Sequence, residues 1–387
     1  MKSIPYGRQT ITEDDIKAVV DVLQSDFLTQ GPHISTFEQK FAEYVGSKYA
    51  VAVSNGTAAL HLCALALGVD EKTRVITTPI TFAASANCIK YCGGEVYFAD
   101  IDPKTFLLDI NKVKELIESK PKGYFHGIIP VDFAGNAVNL EEFKKLADEH
   151  NLWIVEDACH APGGFFKDSH NIDQYCGNGN FADLSIFSFH PVKHIATGEG
   201  GMITTNSKDL FDKLTLLRTH GITKNATEFK NSQETVAQGP WYYEMQTLGY
   251  NYRLTDFQAA LGVSQLTRAN DNLSRRRELA KRYDEAFKNS TVATPISVEG
   301  NAYHLYVIKV KNRLALYEHL RSNQIFAQVH YVPVHLMPYY QEQGFKKGDF
   351  PLAEAYYDEC LSLPMYQSLT EQDQQFVIDT VLSFTER

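Results

Sequence analysis

The sequence predicts an α/β fold: a large domain built on a sheet with parallel strands, then a smaller α+β domain at the C-terminal end. Three observations predict it. Short apolar runs alternate with helical patterns as far as about residue 220. Beyond that point the rhythm changes to a polar stretch, a long helical pattern and a few strand-like runs. The chain has 387 residues, 44% hydrophobic and 22% charged, which suits about two ordinary globular domains.

The apolar runs are YAVAVS (49–54), RVITT (74–78), EVYFAD (95–100), GIIPVD (127–132), WIVEDAC (153–159), SIFSFH (185–190) and GGMITT (200–205). They are short and rich in Val, Ile and aromatic residues, as strands buried on both faces are. Helical patterns at 57–68, 82–92 and 139–150 fall between them. Strand–helix alternation implies parallel pairing with helices on both faces of the sheet. A helix over 12–25 precedes the first strand, and residues 1–25 are expected to pack on the small domain. The large domain then runs over 26–255. Thr255 is an apt N-cap for a long helix reaching Lys288, which opens the small domain, 256–387. In that domain 302–310 and 325–332 read as strands, with a helix at 313–323 between them.

Composition excludes several function classes. With 37 basic and 47 acidic side chains the net charge is −10, which argues against a nucleic-acid partner. No apolar run approaches the ~20 residues of a bilayer span, and MKSIPYGRQT lacks the apolar core of a signal peptide. The six cysteines form no CxxC pair and no His/Cys cluster has zinc spacing, so reduced thiols, no metal and a cytoplasmic location are expected. Neither GxxxxGK[ST] nor GxGxxG occurs, which removes the usual nucleotide-binding loops.

Three segments carry candidate chemistry. Ser54-Asn55-Gly56-Thr57-Ala58 ends a strand and starts a helix, whose free N–H groups would suit a phosphate or simply a cap. Asp157 sits at the carboxyl end of an apolar strand, the edge where ligands of open α/β sheets gather. It could hold a metal, act as a base, pair with a protonated ring nitrogen, or stand there as a solvated acid. Lys193 lies in SFHPVKH with a glycine cluster behind it; a lysine shielded from water has a lowered pKa and can be a Schiff-base nucleophile. Together these are the three grips that pyridoxal phosphate needs: phosphate seat, ring-nitrogen partner and reactive amine.

Their order and spacing resemble the fold-type I pyridoxal-phosphate enzymes, and more narrowly the DegT/DnrJ/EryC1/StrS sugar aminotransferases. Further matches are LTQGP (28–32), SNGTAAL (54–60), TTPITFAASAN (77–87), EDACHA (156–161), SFHPVK and GEGG (188–201), LRTHG (217–221) and GYNYRLTD (249–256). Within the family, PYGRQ (5–9), DFLTQG (26–31), HLYVI (304–308) and AQVHYVPVH (327–335) resemble the branch that serves pseudaminic-acid synthesis. The resemblance implies a mostly parallel seven-stranded sheet and transfer of an amino group from L-glutamate to C4 of a UDP-linked 2-acetamido-2,6-dideoxy-4-keto-hexose. Another nucleotide-linked keto sugar, of perosamine, bacillosamine or aminoarabinose type, is the alternative, and a non-catalytic member is a further one. Relatives with histidine in place of the lysine dehydrate sugars; Lys193 favours transamination.

The resemblance also implies roles. Lys193 would be the Schiff-base lysine and the acid/base. Asp157 would face the pyridine nitrogen, Phe82 would stack on the ring and His160 would lie near the ring hydroxyl. Thr57, Ala58 and Ser188 would hold the phosphate, with Asn251 reaching it from the other subunit of a homodimer. Tyr6, Asp26, Phe27, Leu28, Thr29, Gln328, Val329, His330 and Tyr331 would line the sugar-nucleotide pocket. No arginine stands out as the clamp for the carboxylate of glutamate.

Overall fold

The computed structural model describes residues 3–231 and 239–385; residues 232–238, the middle of the polar stretch 221–240, lie outside the described residues. All seven apolar runs form strands of one sheet. They are β1 Tyr49–Val53, β2 Arg74–Thr77, β3 Glu95–Phe98, β4 Gly127–Ile129, β5 Trp153–Asp157, β6 Leu184–Ser188 and β7 Gly201–Thr205. Their spatial order is β1-β7-β6-β5-β4-β2-β3. Pairing is parallel from β6 through to β3. β7 runs antiparallel to both β1 and β6. The reason is the connection: residues 189–200 contain no helix, and a parallel return needs a crossover, usually a helix. The chain therefore turns back at the carboxyl edge of the sheet and leaves Lys193 there.

Consecutive strand residues point to opposite faces, so each strand feeds two cores. In β5, Val155 joins the cluster containing Ala59, Leu62 and Ile203, while Ile154 joins the one containing Phe133, Phe143 and Val307. The helix Gly56–Ala66 is buried along most of its length, which holds its N-terminus rigidly under the carboxyl edge of β1.

The helical pattern from Thr255 to Lys288 divides in two. Asp256–Leu266, capped by Thr255, packs on the large-domain helix Pro32–Val45, where an added Cβ on Gly262 would lie 2.5 Å from the Phe37 ring. Ala269–Phe287 then runs on into the C-terminal core with Leu279, Tyr283 and Phe287. Of the expected strand 302–310 only Tyr306–Lys309 is extended in a sheet, and its partner is Cys360–Leu363, antiparallel. The run 325–332 gives only Ile325–Phe326, which pairs parallel with Ile4–Pro5. Residues 302–305 instead lie against the turn 133–135, with Ala302 N–H donating to Gly135 O at 2.8 Å and Leu305 N–H to Ala134 O at 3.2 Å. Gly135 permits that approach: its φ is +100°, and a Cβ there would sit 2.5 Å from Tyr303 N.

The N-terminal segment is pinned through Asp15, which is fully buried in the helix Glu13–Leu23. Arg268 grips it bidentately at 2.8 and 3.1 Å, and Ser264 and Gln265 donate to it at 2.6 and 2.8 Å. Burial pushes its pKa up, but the bonds from Arg268, Ser264 and Thr12 outweigh that and lower it. A depressed carboxylate pKa stabilises the fold above its unfolded value, and that contribution is lost as pH falls through the folded value. Asp15→Ala leaves Arg268 without its partner and is expected to cost about 3 kcal/mol at neutral pH, read from denaturant midpoints. The difference between wild type and variant should shrink on acidification below about pH 4; a difference independent of pH would contradict this account.

Candidate active site

Four strand ends and the β6–β7 connection meet at one edge, around a cleft of about 670 Å³. Tyr6, Thr57, Ala58, Phe82, Asp157, His160, Ser188, Lys193, His330 and Tyr331 all line it. The geometry thus brings together most of the residues singled out in the sequence, from segments nearly the whole chain apart.

One end of the cleft is a seat for an anion. Asn55 caps the helix Gly56–Ala66, its Oδ1 accepting from Ala58 N–H at 2.8 Å, a cap contributing about 1 kcal/mol. The Ala58 amide is therefore already engaged, and the amides of Gly56 and Thr57 are the donors left at the helix start. Across from them Ser188 closes β6. A Cβ added to Gly56 would lie 3.0 Å from Ser188 Cβ and 3.4 Å from its Oγ. The space between helix and strand is thus one that glycine alone keeps open.

At the centre Asp157, 6% exposed, ends β5. Its Oδ2 accepts from Ser85 Oγ at 2.6 Å and its Oδ1 from Cys159 N–H at 3.2 Å. Glu156, one residue before, points to the opposite face and meets Asp132 and Cys176 in a buried cluster whose ligand-type atoms lie within 4.8 Å of one another. Burial and the adjacent Glu156 push the Asp132 carboxyl well above its ordinary range, so this pair shares a proton. Phe82 stands over the cleft with 63% of its surface exposed, its ring 6.2 Å from that of Tyr331.

Among the described residues Lys193 forms no ion pair with a carboxylate; its Nζ lies 3.5 Å from His304 Nε2. Burial pushes its pKa down, outweighing the pull of Cys159 and Asp157 in the other direction. His160 accepts from Ala134 N–H through Nδ1 at 3.2 Å, so Nε2 carries the proton and donates to Tyr331 Oη, also at 3.2 Å. Burial, with Lys193 nearby, holds its pKa well below the ordinary histidine value, and the ring is uncharged. His330 is likewise pushed down to about 3 by burial and Lys193, with Nδ1 2.8 Å from Ser362 Oγ. Its ring packs 5.1 Å from Tyr6.

Other expected residues stand apart from the cleft wall in this chain. Asp26, Phe27, Leu28 and Thr29 are exposed, with Thr29 bridged to Thr255. Asn251 is exposed and bridged to Thr219. Gln328 bridges to Ser362, and Val329 packs against two core clusters. Sequence reasoning missed Thr81, Ser85 and His304. Ser85 and His304 meet their partners 72 and 111 residues away, so no local pattern announces them. Asn55, quoted only within its motif, is the residue that caps the helix.

The residues present fit pyridoxal phosphate: a seat at a helix N-terminus, an unprotonated-ready amine, a strand-end carboxylate and an exposed ring. The DegT/DnrJ/EryC1/StrS aminotransferase family model matches residues 9–382. The chain is 39% identical over 391 residues to the spore coat polysaccharide biosynthesis protein SpsC of Bacillus subtilis, covering 98% of this chain and 96% of that one. It is 37% identical over 396 residues to a Campylobacter jejuni UDP-4-amino-4,6-dideoxy-N-acetyl-beta-L-altrosamine transaminase, covering 99% and 98%. Among solved structures, Helicobacter pylori PseC, an aminotransferase of pseudaminic-acid biosynthesis, superposes with a TM-score of 0.89 at 32% identity over the whole of both chains. The pyridoxal-phosphate form of a putative sugar aminotransferase from Streptococcus pneumoniae superposes at 0.88 with 28% identity, covering 100% and 99%. With the family model spanning nearly all of the chain and the site intact within it, this protein belongs to the DegT/DnrJ/EryC1/StrS aminotransferase family, and it is a pyridoxal-phosphate-dependent nucleotide-sugar aminotransferase.

Proposed function

We propose that the protein transfers an amino group from L-glutamate to C4 of a UDP-linked 2-acetamido-2,6-dideoxy-4-keto-hexose. The observation that carries the catalytic part is Lys193, a half-buried lysine that forms no ion pair among the described residues, at the edge that also holds Asp157 and the Gly56 seat. The sugar assignment is supported by the Campylobacter jejuni and Helicobacter pylori proteins and by Tyr6, His330 and Tyr331 sharing the cleft with Lys193.

Pyridoxal phosphate, when bound, supplies an electron sink for the charge left when a proton departs from the amino-bearing carbon. The chain does the rest. Gly56 and Thr57 amides and the Thr57 and Ser188 hydroxyls would hold the phosphate, with Ala58 contributing through the turn that Asn55 fixes. Asp157 would keep the ring nitrogen protonated, Phe82 would cover the ring, and His160, uncharged and tied to Tyr331, would lie beside the ring hydroxyl. Lys193 Nζ would take up and return the proton that moves in each half-reaction, which its lowered proton affinity suits at neutral pH. Tyr6 and the 328–331 segment would line the sugar pocket. Asp26 to Thr29 and Asn251, exposed in one chain, would act across a two-fold interface, Asn251 donating to the phosphate of the partner subunit's site. Exposed Trp241, Met245 and Leu248 lie close to Asn251 in sequence and supply apolar surface for such an interface.

A panel of UDP-, dTDP- and GDP-linked keto sugars offered with glutamate tests the substrate. Turnover of the UDP-linked 4-keto sugar supports the reading; use of dTDP-linked 3-keto sugars alone would refute the branch while leaving the family untouched. Lys193→Ala should lose turnover by orders of magnitude with its circular-dichroism spectrum unchanged; near-normal turnover would sink the assignment. Gly56→Ala narrows the phosphate seat and is expected to weaken pyridoxal-phosphate binding at least about tenfold, or ~1.4 kcal/mol, by fluorescence titration of apoprotein. Equal affinity would place the phosphate elsewhere. For the shared site, subunits carrying Lys193→Ala are mixed with subunits carrying Asn251→Ala. Activity should return on exchange, because mixed dimers hold one intact site; proven heterodimers without recovery would put Asn251 outside the partner's site.

A further inference from the structure

The carboxylate of Asp157 is held by a short chain of hydroxyls that begins on the segment carrying Phe82. Ser85 Oγ lies 2.6 Å from Asp157 Oδ2, 2.8 Å from Thr81 Oγ1 and 3.3 Å from Phe82 O. Thr81 and Ser85 are 2% and 1% exposed, so water does not compete for these bonds. A serine has one proton to give. The shortest contact has the length of an O–H bond to an ionised oxygen, so that proton goes to Asp157. Ser85 then accepts from Thr81, and the chain runs in one direction, Thr81 to Ser85 to Asp157. Hydrogen bonds given to a carboxylate lower its proton affinity.

We propose that Ser85, backed by Thr81, is a positioning residue that keeps the cofactor's ring nitrogen protonated. The inference rests on the reading of Asp157 as the partner of that nitrogen. The proton between the two is shared according to their relative affinities. By lowering the affinity of Asp157, Ser85 leaves the proton on the ring, where it makes the ring an electron sink. By occupying Oδ2 it also fixes the rotation of the carboxylate, while Cys159 N–H marks Oδ1. Because Ser85 N–H donates to Phe82 O at 3.2 Å, the same residue sets the spacing between the covering ring and the carboxylate.

The test uses holoenzyme reconstituted with pyridoxal phosphate carrying ¹⁵N in the ring, followed by NMR across the pH range in which the protein stays folded. At neutral pH Ser85→Ala should move the ring ¹⁵N resonance from the protonated toward the unprotonated position, because the shared proton passes toward Asp157. Ser85→Thr keeps a hydroxyl and should restore the wild-type resonance. Thr81→Val removes only the second hydroxyl and should move the resonance in the same direction by less. A Ser85→Ala resonance equal to wild type, or a Ser85→Thr resonance displaced as far as that of Ser85→Ala, would overturn the proposal. If Ser85→Ala does not fold, Thr81→Val decides alone: a shift supports the chain and no shift overturns it. Asp157→Asn separates the two levels. Loss of the ring proton there with none in Ser85→Ala defeats Ser85 only; a ring proton unaffected by Asp157→Asn defeats both.

Discussion

The site depends on one topological constraint, the helix-free return from β6 to β7. A chain that leaves the carboxyl end of β6 without a crossover helix can only come back antiparallel. Residues 189–200 must then be spent at the carboxyl edge, beside the ends of β1, β2 and β5. That edge already presents Gly56, Phe82 and Asp157, so the return places an amine among a helix N-terminus, an exposed ring and a carboxylate. Ser188 and Gly201, the residues that bound the return, are paired across the two strands, and an added Cβ on Gly201 would meet the Asn55 carbonyl at 2.6 Å. The loop with the lysine and the turn that starts the helix at Gly56 are thereby held against each other.

Electrostatics follow from the same packing. The chain is acidic overall, yet the cleft is lined by few formal charges: Lys193, Asp157 and Glu199, with histidines beside them. His160 and His330 are kept uncharged by burial and by Lys193. On the proposed reading an anionic cofactor would be met by neutral donors at a helix start rather than by a cluster of cations. Burial lowers the proton affinity of the lysine, and it does so against the opposing pull of Cys159 and Asp157.

Much of this was legible in the sequence because the signals are local. Each strand announces itself by an apolar run, Thr255 by cap chemistry, and Lys193 by its setting among Phe, Pro and Gly. What the sequence does not show depends on long-range approach. The antiparallel direction of β7 is a property of its connection, and GGMITT reads the same either way. The run 325–332 is apolar enough for a strand, but after Phe326 its side chains are drawn to the cleft and to Ser362 instead of a ladder. The break after Leu266 lies where Arg268 turns toward Asp15, which lies 253 residues away along the chain. Ser85 and His304 carry no local mark because their partners come from other elements.

The central claim is that Lys193 is the amine that joins the cofactor. Borohydride reduction of the holoenzyme followed by peptide mapping measures this directly, since reduction fixes the cofactor to whichever amine holds it. The account predicts the phosphopyridoxyl mass on the peptide containing Lys193, and its absence when glutamate is added before reduction to convert the cofactor to its amine form. Label on another lysine, or label that glutamate does not remove, would contradict it.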